Sequence, residues 1–504
     1  MSETAAPKPS SGNLDRAFVG GVIWTAGAKW STQILTWGST IAVARILTPE
    51  DFGLVAMAGA ISTVAKVMAE FGIGSAVLQM QSLEDNVIQQ LNTVCTAAGL
   101  VLFVLGLAFI PALQAFYGTE AVGPIFVLST IAFILTGLSV VPLATLRKEL
   151  NYRALSLADM ARVTTQSFVT VACAFAGMGY WSLPIGGLSG SFSALAFVLA
   201  RKYVSFRFPR WADVGPAIQF GGRVTFSQLA VSLYSNSPAI LLGRHLGADL
   251  AGAYQMASNI AEMPQEKLAD LVMRVTGPIF AKAQHDRDLI RRYILTFTET
   301  LLICILPLTM GVALVGKDLV ELLFASKWER SVAPMQWLCV LVSVRTLMPL
   351  VGQALFALRQ ERYVLRRSSL SLIVMPLAFY AASLIDIWVV AASWLLIIPL
   401  NFVPDLRRVH RETGLAWSEY FLALLPALTC VSIMAVAVIG MRYFLDAQQI
   451  MSPLIRLILM ILTGGLVYCS ALLLLFRSRI QRYIDFAKRL RGKKPGTSET
   501  VAIS

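Results

Sequence analysis

The sequence predicts an all-α polytopic membrane protein of about fourteen transmembrane helices, and three observations predict it. The 504 residues are 56% hydrophobic and only 14% charged, with mean hydropathy +0.68, far from the composition of a soluble domain. Apolar runs exceed the roughly 18 residues that cross hydrocarbon. Lys and Arg cluster in almost every second gap between those runs, which is the positive-inside pattern.

The spans run approximately over 18–46, 53–73, 88–111, 121–143, 156–177, 181–200, 216–243, 252–280, 290–315, 333–357, 368–384, 387–405, 420–443 and 454–476. Basic clusters fall at 147–162, 201–210, 282–292, 359–367 and 407–411, and again after 477. The alternate gaps hold only Arg45, Arg244, Lys317, Lys327, Arg330, Arg442 and Arg456. An even span count with clusters on one side places both termini in the cytoplasm. The expected organisation is therefore a disordered cytoplasmic tail (1–17), a first lobe of six spans (18–200) and a cytoplasmic linker (201–215). A second lobe of six spans (216–405), two further spans (420–476) and a basic cytoplasmic tail (477–504) follow. The last begins as an amphipathic helix suited to the headgroup layer. No loop is long enough for an extramembrane domain. The loop near 74–87 is unusual in carrying Glu84 and Asp85 and no base.

The two lobes carry a repeat. VARILTPEDFGLVAMA near the first span answers LLGRHLGADLAGAYQMA near the seventh, pairing Arg45 with Arg244, Gly53 with Gly252, Met57 with Met256 and Ala58 with Ala257. Six spans per copy keep the membrane orientation, so the repeat is parallel, as in rocking transporters. The arginines are expected to snorkel or to cap helix C-termini, and the glycines to permit a tight hairpin.

Several chemistries are excluded. The net charge of +13 sits in short loops beside spans, so it answers lipid headgroups and topology, not nucleic acid. The six cysteines lie in apolar runs without CxxC spacing and are packed thiols. The three histidines are assigned to loops and form no cluster, so neither a metal site nor a cofactor is expected.

The segments WTAGAKWSTQILTWGSTIAVARILTPEDFGLVAMA, FGIGSAVLQ, VTGPIFAKAQHDRDLIRRYI and LVELLFASKWERSVAPMQWL resemble the polysaccharide transporter (oligosaccharide flippase) family. That family lies within the multidrug/oligosaccharidyl-lipid/polysaccharide exporter superfamily. The resemblance implies two six-helix lobes around a central cavity, plus two C-terminal helices. It implies alternating access that carries an undecaprenyl-diphosphate-linked sugar from the cytoplasmic to the periplasmic leaflet of a bacterial inner membrane. Expected partners are the lipid-linked oligosaccharide, membrane lipids, a glycan polymerase and glycosyltransferases. No catalytic residue carries over. The alternatives are a multidrug/cation antiporter of the same superfamily and, from another class, a membrane glycan polymerase or ligase.

Six bases remain inside the spans: Lys29, Lys66, Arg223, Lys267, Arg274 and Arg345. Each costs about 2.5–3.5 kcal/mol at the bilayer centre, so they must pair, snorkel or line a wet cavity. Lys66 has Glu70 and Arg274 has Asp270 at i,i+4 spacing, and Arg223 lies near a span end. Lys29, Lys267 and Arg345 sit near the midplane and are the leading ligands for an anionic headgroup. Glu262, Glu266 and Asp270 form an acidic stripe with Arg274 on the eighth span. Glu262 and Glu266 repel if both are ionised, so these acids and Glu299 are ion-coupling candidates or members of a structural network. Glu299 is placed to partner Lys267 or Arg345.

Overall fold

The computed structural model describes residues 31–79, 84–202, 204–448 and 452–477, with the side chains of 266–275 and of 227, 278, 281, 361, 365 and 368 excepted. Lys29, the 1–17 tail and the amphipathic tail helix lie outside the described residues. Within them the chain is almost wholly helical and contains no strand, as predicted.

Helix α1 covers residues 31–46 and is followed by α2 (Pro49–Glu70), α3 (Ile73–Gln79), α4 (Asp85–Tyr117), α5 (Val122–Lys148), α6 (Tyr152–Phe175) and α7 (Ser182–Leu199). Next come α8 (Trp211–His245), α9 (Gly247–Ala283), α10 (Arg287–Phe324), α11 (Val332–Arg345) and α12 (Met348–Ala357). The chain ends with α13 (Glu361–Ser383), α14 (Ile387–Ser393), α15 (Val403–Thr413), α16 (Trp417–Ala447) and α17 (Pro453–Leu475). Among the described residues each expected span is met by one or more helices, and the boundaries shift for local reasons. Helix α2 starts earlier than expected because Thr48 and Asp51 form a reciprocal capping box with Pro49 in the first turn. Helix α4 runs on to Tyr117 and stops at Gly118, whose φ of 69° closes a left-handed cap.

Among the described residues ten helical segments are long and apolar enough to cross a membrane, and the chain is a multi-pass membrane protein. Helices α6, α8 and α9 match these in length, at 24, 35 and 37 residues, but fall outside the ten. Their polar faces cannot meet lipid and must be turned to protein or water.

Three breaks depart from the expected continuous spans. Helix α2 ends at Phe71 and Gly72, both with positive φ, and α3 occupies the first part of the expected 74–87 loop. The span expected at 333–357 is two helices, parted at Thr346–Leu347 with Pro349 opening α12. The span expected at 387–405 is α14, a 3₁₀ turn, a π-turn over Ile398–Phe402 and α15. Two of the histidines assigned to loops are helical, His245 ending α8 and His410 lying in α15.

The chain divides into two compact units. One comprises the residues up to Ser258 with Leu323–Pro334 and Ser369–Trp394; the other comprises Asn259–Leu322, Met335–Ser368 and the residues from Leu395. This contact-based partition differs from the repeat-based one at 201–215. In the first unit α4 packs on α5, α6 on α7, and α2 on α5 and α8. Small residues permit these approaches: a Cβ on Gly99 would overlap the Phe133 carbonyl, and one on Gly137 the Cys95 carbonyl. In the second unit a core including Ile290, Ile294, Ile305, Leu350, Val351, Leu406, Val409, Cys430 and Met460 gathers α10, α12, α15, α16 and α17. Asp318 on α10 binds Arg442 of α16 (3.4 Å) and Arg456 of α17 (3.1 Å), pinning the last two helices to α10.

Candidate functional site

The second unit holds a charged pair at a helix break. Arg345 is the last residue of α11. Its cation sits where the helix dipole and the last carbonyls favour one. Its Nη2 donates to Glu262 Oε1 on α9 at 2.7 Å. The two side chains are 30% and 36% exposed, so the pair is shielded but reachable. The break at Thr346–Leu347 puts this cation partway along the expected 333–357 span. One turn further along α9, Gln265 buries its side-chain oxygen with no donor among the described residues. Beyond it, Thr276 of α9 donates to Gln353 Oε1 of α12 at 2.6 Å. Helix α9 thus meets α11 and α12 through polar side chains, as an intramembrane polar helix requires.

The other predicted site residues fare differently. Arg345 meets the Glu262 carboxylate at 2.7 Å. Glu299 is buried on α10. Glu262 meets a cation, Arg345. Glu266, Lys267, Asp270 and Arg274 lie on α9, but their side chains are outside the described residues. In the first unit Lys66 is exposed on α2, and among the described residues no ion pair within 4.0 Å joins it to Glu70. The i,i+4 spacing allowed that pair without compelling it, since an exposed pair gains little. Arg223 is exposed on α8. On α6, Asp159 pairs with Arg162 at 2.8 Å.

The first unit contains a second constellation that the sequence reading passed over. The last carbonyls of α1 have no partners within that helix, and the segment after α10 supplies them. Lys327 Nζ donates to Arg45 O (2.8 Å) and Leu47 O (2.6 Å), and Trp328 Nε1 donates to Ala44 O (2.9 Å). Trp328 is fully buried and meets Phe52 edge-on, ring centroids 5.1 Å apart. Arg45 Nε donates to Leu323 O at 3.0 Å in the last turn of α10. The expected helix capping by Arg45 is therefore real but acts on another helix. Arg244 lies over the Phe116 ring, 5.7 Å from its centroid.

The repeat glycines serve a purpose other than the hairpin expected of them. A Cβ on Gly53 would overlap the Ala248 carbonyl, and one on Gly252 would overlap the Pro49 carbonyl. Pro49 and Ala248 stand in the same register as Gly53 and Gly252, 199 positions apart. The two repeat turns touch backbone to backbone, each glycine admitting the other copy's first helical turn.

Among the described residues no group of His, Cys, Asp and Glu could hold a metal ion. The six cysteines are free thiols.

A multi-pass helical protein with polar intramembrane helices, broken spans and a mid-span guanidinium–carboxylate pair has the build of the membrane transporter folds. The chain belongs to the polysaccharide biosynthesis protein family, whose model matches residues 42–333. It is 26% identical over 460 residues to the teichuronic acid biosynthesis protein TuaB of Bacillus subtilis, covering 88% of this chain and 94% of that one. It is 24% identical over 503 residues to the succinoglycan biosynthesis transport protein ExoT of Rhizobium meliloti, covering 94% and 95%. It is 25% identical over 345 residues to the lipopolysaccharide biosynthesis protein WzxC of Escherichia coli, covering 66% and 69%. Its fold is that of the lipid II flippase MurJ, with a TM-score of 0.72 at 14% identity over 91% of this chain and 100% of that one. An inward-facing multidrug resistance MATE family transporter of the MOP superfamily matches with a TM-score of 0.61 at 14% identity, over 76% and 96%.

Proposed function

We propose that this protein is a flippase that moves an undecaprenyl-diphosphate-linked oligosaccharide from the cytoplasmic to the periplasmic leaflet of a bacterial inner membrane, by alternating access. Both termini are cytoplasmic, and the moving bodies are the two six-span lobes, 18–200 and 216–405. Glycosyltransferases supply the substrate, and a glycan polymerase receives it. The family supports a polysaccharide precursor as cargo. The fold, shared by flippases and drug transporters, does not choose between them. The observation that carries the choice is the Arg345–Glu262 pair.

A diphosphate headgroup crossing hydrocarbon must exchange water for other donors. A guanidinium presents its fork equally to carboxylate and phosphate oxygens. Arg345 is already held off lipid by Glu262, so an arriving diphosphate competes with one carboxylate instead of meeting a bare charge. Gln265 offers an acceptor nearby for a sugar hydroxyl. Lys29 and Lys267 supply further cations, Arg223, Arg274 and Lys66 guide entry and exit, and Glu262, Glu266, Asp270 and Glu299 are the groups whose protonation couples the cycle.

The test is complementation of a strain lacking the flippase, with surface polymer as readout. R345Q and K267Q are expected to abolish or sharply reduce polymer while the protein still reaches the membrane. R345K retains partial activity, because it keeps the charge without the fork. Full polymer with Lys29, Lys267 and Arg345 each neutralised overturns the proposal. An antiporter instead extrudes cationic dyes and loses that activity with E262Q.

A further inference from the structure

The segment between α7 and α8 includes a non-helical strap, residues 204–210, hydrogen-bonded to α4. Asn92 Nδ2 donates to Ser205 O (3.3 Å). Thr93 Oγ1 accepts from the Arg207 N–H (3.1 Å) and donates to the Arg207 carbonyl (2.8 Å). The Arg210 N–H donates to Gln90 Oε1 (2.6 Å), and Gln90 Nε2 donates on to Asp213 Oδ2 (2.8 Å). Gln90 and Asn92 are themselves buried. Surface loops are ordinarily mobile, but this one is held by buried amides along its length, so the positions of its side chains are fixed.

Those side chains form an unusual surface. Phe206 and Phe208 are 53% and 87% exposed. Trp211 follows at 65% exposure, its indole lying over Gly215 in the first turn of α8. Arg207 and Arg210 alternate with the rings along the chain, and both are exposed. Neither has an ion-pair partner within 4.0 Å among the described residues. The neighbouring charges are already engaged: Lys202 with Glu149, and Asp213 with Gln90. Arg201 lies 4.4 Å above the Phe197 ring.

Three exposed aromatic rings are costly in water. The strap, however, starts where α7 leaves its apolar run and ends where α8 begins, at the level of lipid headgroups. There, rings enter the acyl boundary and guanidinium groups meet phosphates. A nucleic acid or acidic protein would satisfy the arginines and leave the rings wet. An apolar protein partner would cover the rings and strand the arginines. One occupant answers both. We propose that residues 204–211 form a binding site for anionic phospholipid headgroups, which ties the linker between the repeats to the membrane surface. The inference needs only the multi-pass placement and stands whatever the protein carries.

The experiment uses the full-length protein reconstituted in phosphatidylcholine vesicles containing a minor fraction of acyl-brominated phosphatidylglycerol or acyl-brominated phosphatidylcholine. The emission lost in W211F isolates the Trp211 signal. That signal is expected to be quenched more by brominated phosphatidylglycerol than by brominated phosphatidylcholine at equal mole fraction. Each basic residue at an anionic surface contributes about fivefold in association, so R207Q/R210Q weakens the preference by about 25-fold, while R207K/R210K keeps it. If the double variant does not reconstitute, R207Q and R210Q singly carry the test at about fivefold each. Equal quenching by the two lipids, a preference unchanged on neutralisation, or Trp211 emission untouched by bromine each overturns the proposal.

Discussion

The two repeat turns, 45–58 and 244–257, began from one pattern and now solve the same geometric problem by different local chemistry. Both bring a glycine against the opposite copy's first helical turn, and both bury the methionine and alanine that follow, Met57 with Ala58 and Met256 with Ala257. Their caps differ. The first turn uses the Thr48–Asp51 box and borrows Lys327 and Trp328 to close α1. The second passes from α8 to α9 through Gly247 at φ 85°, and its Asp249 meets Arg330 at 3.0 Å. Further on, α2 breaks at Phe71–Gly72 while α9 continues to Ala283. Backbone contact leaves no freedom in the choice of side chain, so the glycines persist in both copies. A helix end has many solutions of similar energy, so the caps diverge.

That contrast can be broken at several levels. The largest effect is expected from G53V or G252V, where a side chain has nowhere to go but into a carbonyl. Each is expected to abolish monodisperse folded protein in detergent, and equal severity at the two sites is the mark of a reciprocal contact. Next, W328A removes a fully buried ring and the donor to Ala44, costing about 3–5 kcal/mol, read as lowered thermal stability in detergent. K327M, which strips a cation from two carbonyls of one turn only, costs about 2 kcal/mol by the same measurement. T48A and G247A test the two caps directly, each at about 1 kcal/mol for different reasons: the first loses a side-chain cap, the second forces a Cβ into left-handed backbone. N-capping by asparagine (T48N) is expected to rescue the first, and no L-residue the second. The smallest effect belongs to R330Q. Its pair with Asp249 is largely exposed, so the change stays within about 0–1 kcal/mol; a larger loss would give the second turn a closure comparable to the first.

Other residues divide along the same line. The cations on the sparse side looked like leftovers of topology, yet the structure gives them specific tasks. Arg45 caps α10, Lys327 caps α1, Arg330 meets Asp249, and Arg442 and Arg456 converge on Asp318. On the abundant side some arginines are also committed, as Arg367 is to Asp405 at 2.8 Å and Arg291 to Glu419. Arg207 and Arg210 are left to the solvent or the lipid.

The site was legible in part. A cation inside an apolar run cannot be hidden, so Arg345 stood out from composition and span position alone. Its contact with Glu262 did not, because that carboxylate lies 83 positions away in the chain. Lys66 and Glu70 erred the other way: ideal spacing on one helix, but no pair formed. Trp328 and Lys327 gave no periodic signal, since their partners are backbone carbonyls, which every residue carries and no sequence marks.

By itself the sequence determined what depends on transfer to lipid and on local propensity. It specified the spans, the alternation of basic gaps and the repeat, because each is written in a contiguous stretch of chain. Tertiary structure alone decided where the spans break, that Glu262 meets Arg345, and why Gly53 and Gly252 must be glycine. Those outcomes depend on what another helix presents at a distance of a few ångströms, and that neighbour is set by packing, not by adjacency in the chain.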